Sequence, residues 1–206
     1  MLTMLQAARE LMQQGGWAMW PLLLLSLVSI TLCTERTIFW LRLHRPGVRR
    51  WLKHTRHALR NAQHDKVQGL IATGVPLYAA AVSSMLTRND EPAIVEAIEE
   101  TRHPLERFAT TLSTIIAAAP LLGILGTVTG IIRSFNILGQ VDAGIVADPA
   151  AVASGIAEAL LTTAFGLIIA TATLFPYAWF RANVTHAISA MESLAAAAQQ
   201  GTTQQN

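Results

Sequence analysis

The chain has 206 residues, of which 52% are hydrophobic and only 14% are charged, and its formal net charge is +2. Ordinary soluble domains carry roughly a quarter of charged residues, so this composition favours a membrane protein and argues against a soluble globular domain. The single cysteine, Cys33, excludes an intrachain disulfide framework and a cysteine-based metal cluster.

Three apolar stretches are long enough to cross a bilayer, which takes about 20 helical residues. They predict transmembrane helices at residues 15–41, 108–138 and 149–181. The first stretch has no net basic segment before it and a strong positive block after it. It is therefore predicted to be a signal-anchor helix rather than a cleaved leader.

The distribution of basic residues predicts the orientation of these helices. Eleven of the fifteen Lys and Arg residues lie between Arg42 and Arg107, and basic residues accumulate on the cytoplasmic side. The segments predicted inside are 42–107 and 182–206, and those predicted outside are 1–14 and 139–148. The predicted fold is an all-α membrane protein with three transmembrane helices, an outside N-terminus and long helices that extend into the cytoplasm.

The region between the first two spans is predicted to be helical. An amphipathic pattern covers residues 46–73 and is broken at Gly74. A short helix is predicted over Leu77–Leu86, and Asp90 is the predicted N-cap of a further helix. That helix could run through Pro104 directly into the second span. The polar end of the chain, residues 195–206, is predicted to be a tail that is disordered at its end.

A basic face follows the first span, and three interpretations of it are open. It could contact anionic lipid, bind nucleic acid, or only follow the positive-inside rule. Lipid contact or a passive role is favoured, because the face directly follows a span. The residues of this face are Arg45, Arg49, Arg50 and Lys53. His54 and His57 share a helix face, but they lack acidic or cysteine residues at matching spacing, so no metal site is predicted.

Small residues form one stripe on each of the second and third spans. Close approach of backbones drives helix association in lipid, so both stripes predict packing faces, either within the chain or between copies. The predicted packing residues are Gly123, Gly126, Gly130, Gly155, Ala159 and Gly166.

Glu158 is the only acidic residue between Asp148 and Glu192. A carboxylate in hydrocarbon is costly and usually functional, although a position near the headgroups would make it merely tolerated. Glu158 precedes Arg181 by 23 residues, or about 35 Å of straight helix. This distance brings Glu158 close to the outer boundary, unless the helix extends inward or tilts strongly.

Threonines are frequent in the second and third spans, and they include Thr127, Thr162 and Thr163. They could line a polar path, or they could satisfy themselves by bonding carbonyls one turn back. Pro120 and Pro176 lie inside the same spans, as hinges or as simple packing irregularities.

Two segments resemble the signature of the MotA/TolQ/ExbB proton-channel family, with ExbB and TolQ as the most similar members. They are APLLGILGTVTGIIRSF (Ala119–Phe135) and ASGIAEALLTTAFGL (Ala153–Leu167). The layout of residues 15–195 also fits this family, whereas MotA has four spans and is disfavoured.

The resemblance implies a homopentamer in the bacterial inner membrane. Spans two and three would line a central pore that holds the transmembrane helices of an ExbD-like, single-span partner. Proton flow would move that partner and pass energy through a TonB-like protein. The resemblance also implies that Glu158, Thr127 and Thr163 lie on the proton path, with Glu158 deep and facing the pore, and Thr162 is added as a neighbour one turn away.

Three rival interpretations are kept. The first is a TolQ-like subunit of the Tol–Pal envelope system, and the second is a non-conducting scaffold in which Glu158 pairs statically with a partner's charge. The third is an intramembrane enzyme or secondary transporter. It is disfavoured, because the sequence shows neither a second catalytic residue nor an inverted repeat. No enzymatic activity, cofactor, metal or nucleic-acid partner is predicted.

Overall fold

The computed structural model describes residues 15–88, 91–139 and 149–203, and within these ranges it has seven helices and no strand. In chain order they are α1 (Met19–Leu43), α2 (Pro46–Arg60), α3 (His64–Thr73), α4 (Pro76–Arg88), α5 (Glu91–Glu106), α6 (Ala109–Gly139) and α7 (Pro149–Thr203). Three of them, α1, α6 and α7, are long and apolar enough to cross a membrane. The prediction of an all-α protein with three membrane helices is therefore confirmed. Residues 1–14, Asp90 and residues 140–148 lie outside the described residues.

The chain forms two compact units. The membrane unit contains the described residues up to Thr34 together with Thr110–Tyr177. The second unit contains Glu35–Ala109 and the chain from Ala178 onward. Both α1 and α7 contribute residues to each unit.

In the membrane unit, α6 and α7 approach each other through the two stripes of small residues. A Cβ atom on Gly123 would lie 2.9 Å from the Thr162 carbonyl oxygen, and one on Gly166 would lie 2.5 Å from the Ala119 carbonyl oxygen. Both obstacles are backbone atoms, which cannot move aside. Since only glycine leaves room for such contacts, the stripes fix how closely the two helices pack.

The helix α1 packs on the same pair through a small apolar cluster. Met19 and Leu22 are buried there with Ile115, Ala119 and Ile169. Further along α1, the Ser29 hydroxyl lies 2.6 Å from the Thr173 hydroxyl of α7, and both are buried. Thr173 donates its only hydroxyl proton to the Ile169 carbonyl, so Ser29 is the donor in this bond between α1 and α7.

The second unit has a core of large side chains. Trp51 of α2 stacks on Tyr78 of α4, with ring centroids 6.5 Å apart, and its indole N–H donates to the Leu70 carbonyl at 2.7 Å. Gly74 lies directly against the indole ring. The turn between α3 and α4 is therefore built around one buried tryptophan.

The predicted single helix over residues 46–73 is wrong, because the structure divides it into α2 and α3. Ala62 adopts a left-handed conformation with φ 51°. The Gln63 N–H donates back to the Ala58 carbonyl at 3.0 Å, which closes the end of α2. An amphipathic pattern alone does not reveal such a cap, since both helices keep their apolar residues on the buried side.

The predicted continuous helix through Pro104 into the second span is also wrong. Pro104 lies inside α5, but the chain leaves the helical conformation at Phe108, whose φ is 66°. The Pro104 carbonyl accepts a hydrogen bond from the guanidinium of Arg36 at 3.0 Å. Arg36 is only 3% exposed and also pairs with Glu35, so a buried cation joins α1 to the end of α5.

The end of the chain is helical up to Thr203, so the disorder predicted for the tail does not apply to its described part. Alanine has the highest helix propensity of all residues, and Leu194, Ala195 and Ala198 are buried in the second unit. Gly201 lies against the Leu59 carbonyl at the end of α2. Packing on α2 therefore keeps this segment helical, although its composition is polar and of low complexity.

Candidate functional site

Glu158 lies on α7 at the edge of the contact with α6, and its side chain is 12% exposed. Its neighbour Ala159 faces Gly130 of α6, where an added Cβ would lie 3.0 Å from that of Ala159. The packing of small residues thus holds this turn of α7 close to α6. The Glu158 carboxylate therefore lies beside a close contact of the pair.

Both oxygens of the Glu158 carboxylate are in contact with other parts of the membrane unit. Oε2 accepts a hydrogen bond from the Arg133 guanidinium at 3.2 Å. Oε1 lies where a side chain on residue 16 would begin, so a larger residue at that position would displace the carboxylate. Gly16 also has φ 62°, a conformation that glycine adopts without strain. The carboxylate is therefore enclosed between α6 and the turn that precedes α1.

Glu158 lies in the part of the membrane unit that the start of α1 also occupies. It is the tenth residue of α7, which begins at Pro149, so it lies about 13 Å along the helix axis. Gly16, which contacts it, is followed by Trp17 and Trp20, which are 53% and 66% exposed. Exposed tryptophans are typical of the interface between membrane and water.

The four residues predicted for a proton path occupy different environments. Thr163 is half-buried, and its hydroxyl donates across to the Gly123 carbonyl on α6 at 3.0 Å. Thr127 is also half-buried, and its hydroxyl donates to the Ile124 carbonyl of its own helix. Thr162 is completely buried and packs against Gly126. Thr162 thus lies within the α6–α7 contact together with the packing residues, because the small residues of both helices surround its side chain.

The predicted packing residues all lie in that contact. Gly123 and Gly126 meet the Thr162 and Thr163 turn, Gly130 meets Gly155 and Ala159, and Gly166 meets Ala119. The contact is formed within one chain. It leaves the large apolar side chains of both helices, such as Leu121, Ile124 and Leu160, exposed.

The predicted basic face lies on exposed positions of the second unit. Arg45, Arg49, Arg50 and Lys53 are all exposed, whereas Val48 and Trp51 of the same helix are buried. The cations therefore remain accessible to an anionic surface. Within the described ranges, no group of three or more His, Cys, Asp or Glu side chains is placed to hold a metal ion.

Sequence reasoning missed Arg133 and Gly16 as site residues. Arg133 lies inside the predicted span 108–138 and Gly16 lies inside the predicted span 15–41, and no pattern singled out either residue. The alignment of the two stripes could have predicted this contact. When α6 and α7 pack antiparallel with Gly130 opposite Gly155, the long side chain of Arg133 can reach Glu158. The contact of Gly16 depends on how α1 folds back on the pair, which no local pattern predicts.

Comparison with known proteins agrees with the resemblance that the two sequence motifs showed. The model of the MotA/TolQ/ExbB proton channel family matches residues 77–193. A Synechocystis protein described as the biopolymer transport protein ExbB-like 1 is 35% identical over 89% of this chain and 73% of its own length. The Vibrio cholerae biopolymer transport protein exbB1 is 29% identical over 81% of this chain and 75% of its own length. The Tol-Pal system protein TolQ of Pseudomonas aeruginosa is 40% identical over a shorter part, 42% of this chain and 36% of its own length.

The family match covers more than half of the chain and includes α6, most of α7 and the Glu158 site. Three apolar helices agree with a protein that crosses the membrane several times. The resemblance seen in the two sequence motifs is thereby confirmed, and this chain belongs to the MotA/TolQ/ExbB proton channel family.

Proposed function

We propose that this chain is the proton-channel subunit of an ExbB–ExbD-type motor in the bacterial inner membrane. The motor uses the proton-motive force to energise TonB-dependent transport across the outer membrane. The observation that carries the proposal is the enclosed Glu158 carboxylate on an apolar helix, beside the α6–α7 contact. A protonatable group held at such a position is costly, and function is its usual justification.

The proposed path begins at the outer end of the bundle. With the orientation predicted from the basic residues, Glu158 lies toward the outer side, where it can receive a proton from the periplasm. Thr163 lies five residues further along α7, about 8 Å inward, and Thr127 lies on α6. Their hydroxyls orient water or the partner's helix along the inward part of the path.

In this proposal, the small-residue contact prevents water and protons from passing between α6 and α7. Closely packed backbones leave no space for water between α6 and α7 of one chain. Protons are thereby directed along a route that the two exposed faces form with other chains. Each proton that crosses 100 mV releases about 2.3 kcal/mol, so several protons supply a useful mechanical stroke.

The partners follow from the same proposal. The exposed apolar faces of α6 and α7 are available to further copies of this chain, as a pentamer, and to an ExbD-like helix that carries its own carboxylate. A TonB-like protein receives the motion, and anionic lipid contacts the basic face around Arg49. The chemistry requires no enzymatic step and no cofactor.

The test replaces the wild-type gene with Glu158→Gln in a bacterium that depends on this chain. Gln keeps the size and polarity of the side chain but cannot ionise. Uptake through a TonB-dependent outer-membrane transporter is expected to be lost, while the complex still assembles when purified by a tag on the partner. Full uptake by an assembled Glu158→Gln complex would contradict the proposal. Thr114→Val, a matched control in an exposed threonine whose hydroxyl bonds its own helix, is expected to keep uptake.

A TolQ-like role is the second candidate, and the similarity to the Pseudomonas aeruginosa TolQ favours it. The same strain distinguishes the two roles. Loss of envelope integrity under detergent stress, with normal TonB-dependent uptake, would assign the chain to the Tol–Pal system. The scaffold alternative, in which Glu158 pairs statically with a partner's charge, predicts that Glu158→Gln fails to assemble.

A further inference from the structure

The ion pair between Arg133 and Glu158 is asymmetric. The Glu158 side chain is 12% exposed, whereas the Arg133 side chain is 69% exposed. The carboxylate lies largely buried against Gly16, and among the described residues the guanidinium makes one hydrogen bond, to Oε2. The cation can therefore leave by rotating its own side chain, with no movement of either helix.

The same geometry places each oxygen of the Glu158 carboxylate in contact with another residue. Oε1 is covered by Gly16, and Oε2 is occupied by the Arg133 guanidinium. A proton that arrives from water must bind one of these two oxygens. Exposing Oε1 requires the backbone at Gly16 to move, whereas Oε2 becomes accessible when the Arg133 side chain rotates away.

We infer that Arg133 is a positioning residue that keeps Glu158 closed to protons until its guanidinium is drawn away. This inference rests on the proposed function, in which Glu158 carries protons. The displacing group is an anion, namely the carboxylate on the partner's transmembrane helix. When Arg133 turns to that carboxylate, a proton from the outer water binds Oε2 and Glu158 becomes neutral, while Arg133 keeps its charge.

The test measures proton flux into liposomes that contain the full-length chain alone, driven by a fixed membrane potential. The wild-type chain is expected to conduct little. Arg133→Gln is expected to raise the flux about tenfold or more, because the charged hydrogen bond that occupies Oε2 is lost. Arg133→Lys, which keeps the charge, is expected to show a proton flux close to that of the wild type. Arg42→Gln, which removes an exposed charge in the last turn of α1, serves as the control and is expected to leave the flux unchanged.

The double variant Arg133→Gln/Glu158→Gln separates this role from simple damage to the bundle. It is expected to return the flux to the wild-type level, since the opened path has lost its proton carrier. A double variant that still leaks, or an Arg133→Gln chain that does not leak, would overturn the inference. A separate arm adds the partner to wild-type and Glu158→Gln chains. If only the wild type then conducts, the proposed function stands whatever the Arg133 variants show.

Discussion

The two units of this chain are built by opposite rules. In the membrane unit, glycine, alanine and threonine lie inside the α6–α7 contact, and large apolar side chains point outward. In the second unit, Trp40, Val82, Met85 and Met191 are buried. Among the described residues, the exposed large hydrophobic side chains belong to the membrane unit with four exceptions, Ile38, Leu41, Val95 and Trp179.

The difference reflects the solvent of each unit. Lipid is as apolar as leucine, so burying large side chains gains little there, and close backbone approach stabilises the helices instead. Water favours the burial of large apolar surface, at about 25 cal/mol per Å². The α6–α7 contact therefore depends on glycine and the core of the second unit depends on large side chains such as Trp51, and substitutions of the two kinds test this contrast.

The largest effect is expected from Gly123→Leu. Its side chain would meet the Thr162 carbonyl and the Thr163 Cα, both 2.9 Å from the first added carbon. Neither atom belongs to a flexible side chain, so we expect the α6–α7 pair to lose its packing and the protein to aggregate on extraction. Gly139→Leu, at a position with no atom within 4 Å of an added Cβ, is the control in the same helix. Size-exclusion chromatography in mild detergent measures both, and a monodisperse Gly123→Leu protein would contradict the proposed packing.

A pair of tryptophans compares the two units directly. Trp51→Ala removes a buried ring and its bond to Leu70, so the free energy of unfolding is expected to fall by about 3–5 kcal/mol. Trp20→Ala removes a ring that is 66% exposed and is expected to cost less than about 1 kcal/mol. Unfolding in detergent, followed by circular dichroism, measures the two changes. Equal losses would mean that the contrast between the units is not real.

The core of the second unit also predicts a dependence on pH. Burial raises the pKa of Tyr78 to about 12, against about 10 for a tyrosine in the unfolded chain. Between these values the unfolded state releases the phenolic proton and the folded state keeps it, so stability falls as pH rises. The loss by pH 12 is expected to reach about 2–3 kcal/mol. It is measured as the difference between wild-type and Tyr78→Phe unfolding curves, and a constant difference from pH 9 to 12 would show that Tyr78 is not buried in this way.

The smallest effect is expected from the polar contact between α1 and α7. Ser29→Ala removes the buried bond to Thr173 and is expected to lower the free energy of unfolding by about 0.6 kcal/mol, the average for hydrogen bonds between membrane helices. Ser26→Ala removes a hydroxyl that bonds only within α1, so it should change almost nothing. The same unfolding assay compares the two serines, and indistinguishable values would remove this bond from the account.

The sequence predicted the spans and the stripes, because both depend on local patterns. The spans follow from the length of charge-free segments, and the stripes follow from small residues at helical spacing. It failed at Ala62 and Phe108, where left-handed residues end helices that the apolar pattern would continue. It also failed at residues 195–203, where helix propensity and packing on α2 override a polar composition. Glu158 was identified from its isolation in an apolar segment. The groups that enclose it, Arg133 and Gly16, come from other parts of the chain and required the fold.

The central claim is that Glu158 carries protons, and flux through the reconstituted complex with its single-span partner tests it most directly. At a fixed membrane potential, the wild-type complex is expected to conduct protons and the Glu158→Gln complex to conduct none above the lipid background. Both complexes must contain the two proteins in the same ratio. An intact Glu158→Gln complex that conducts protons at the wild-type rate would contradict the account.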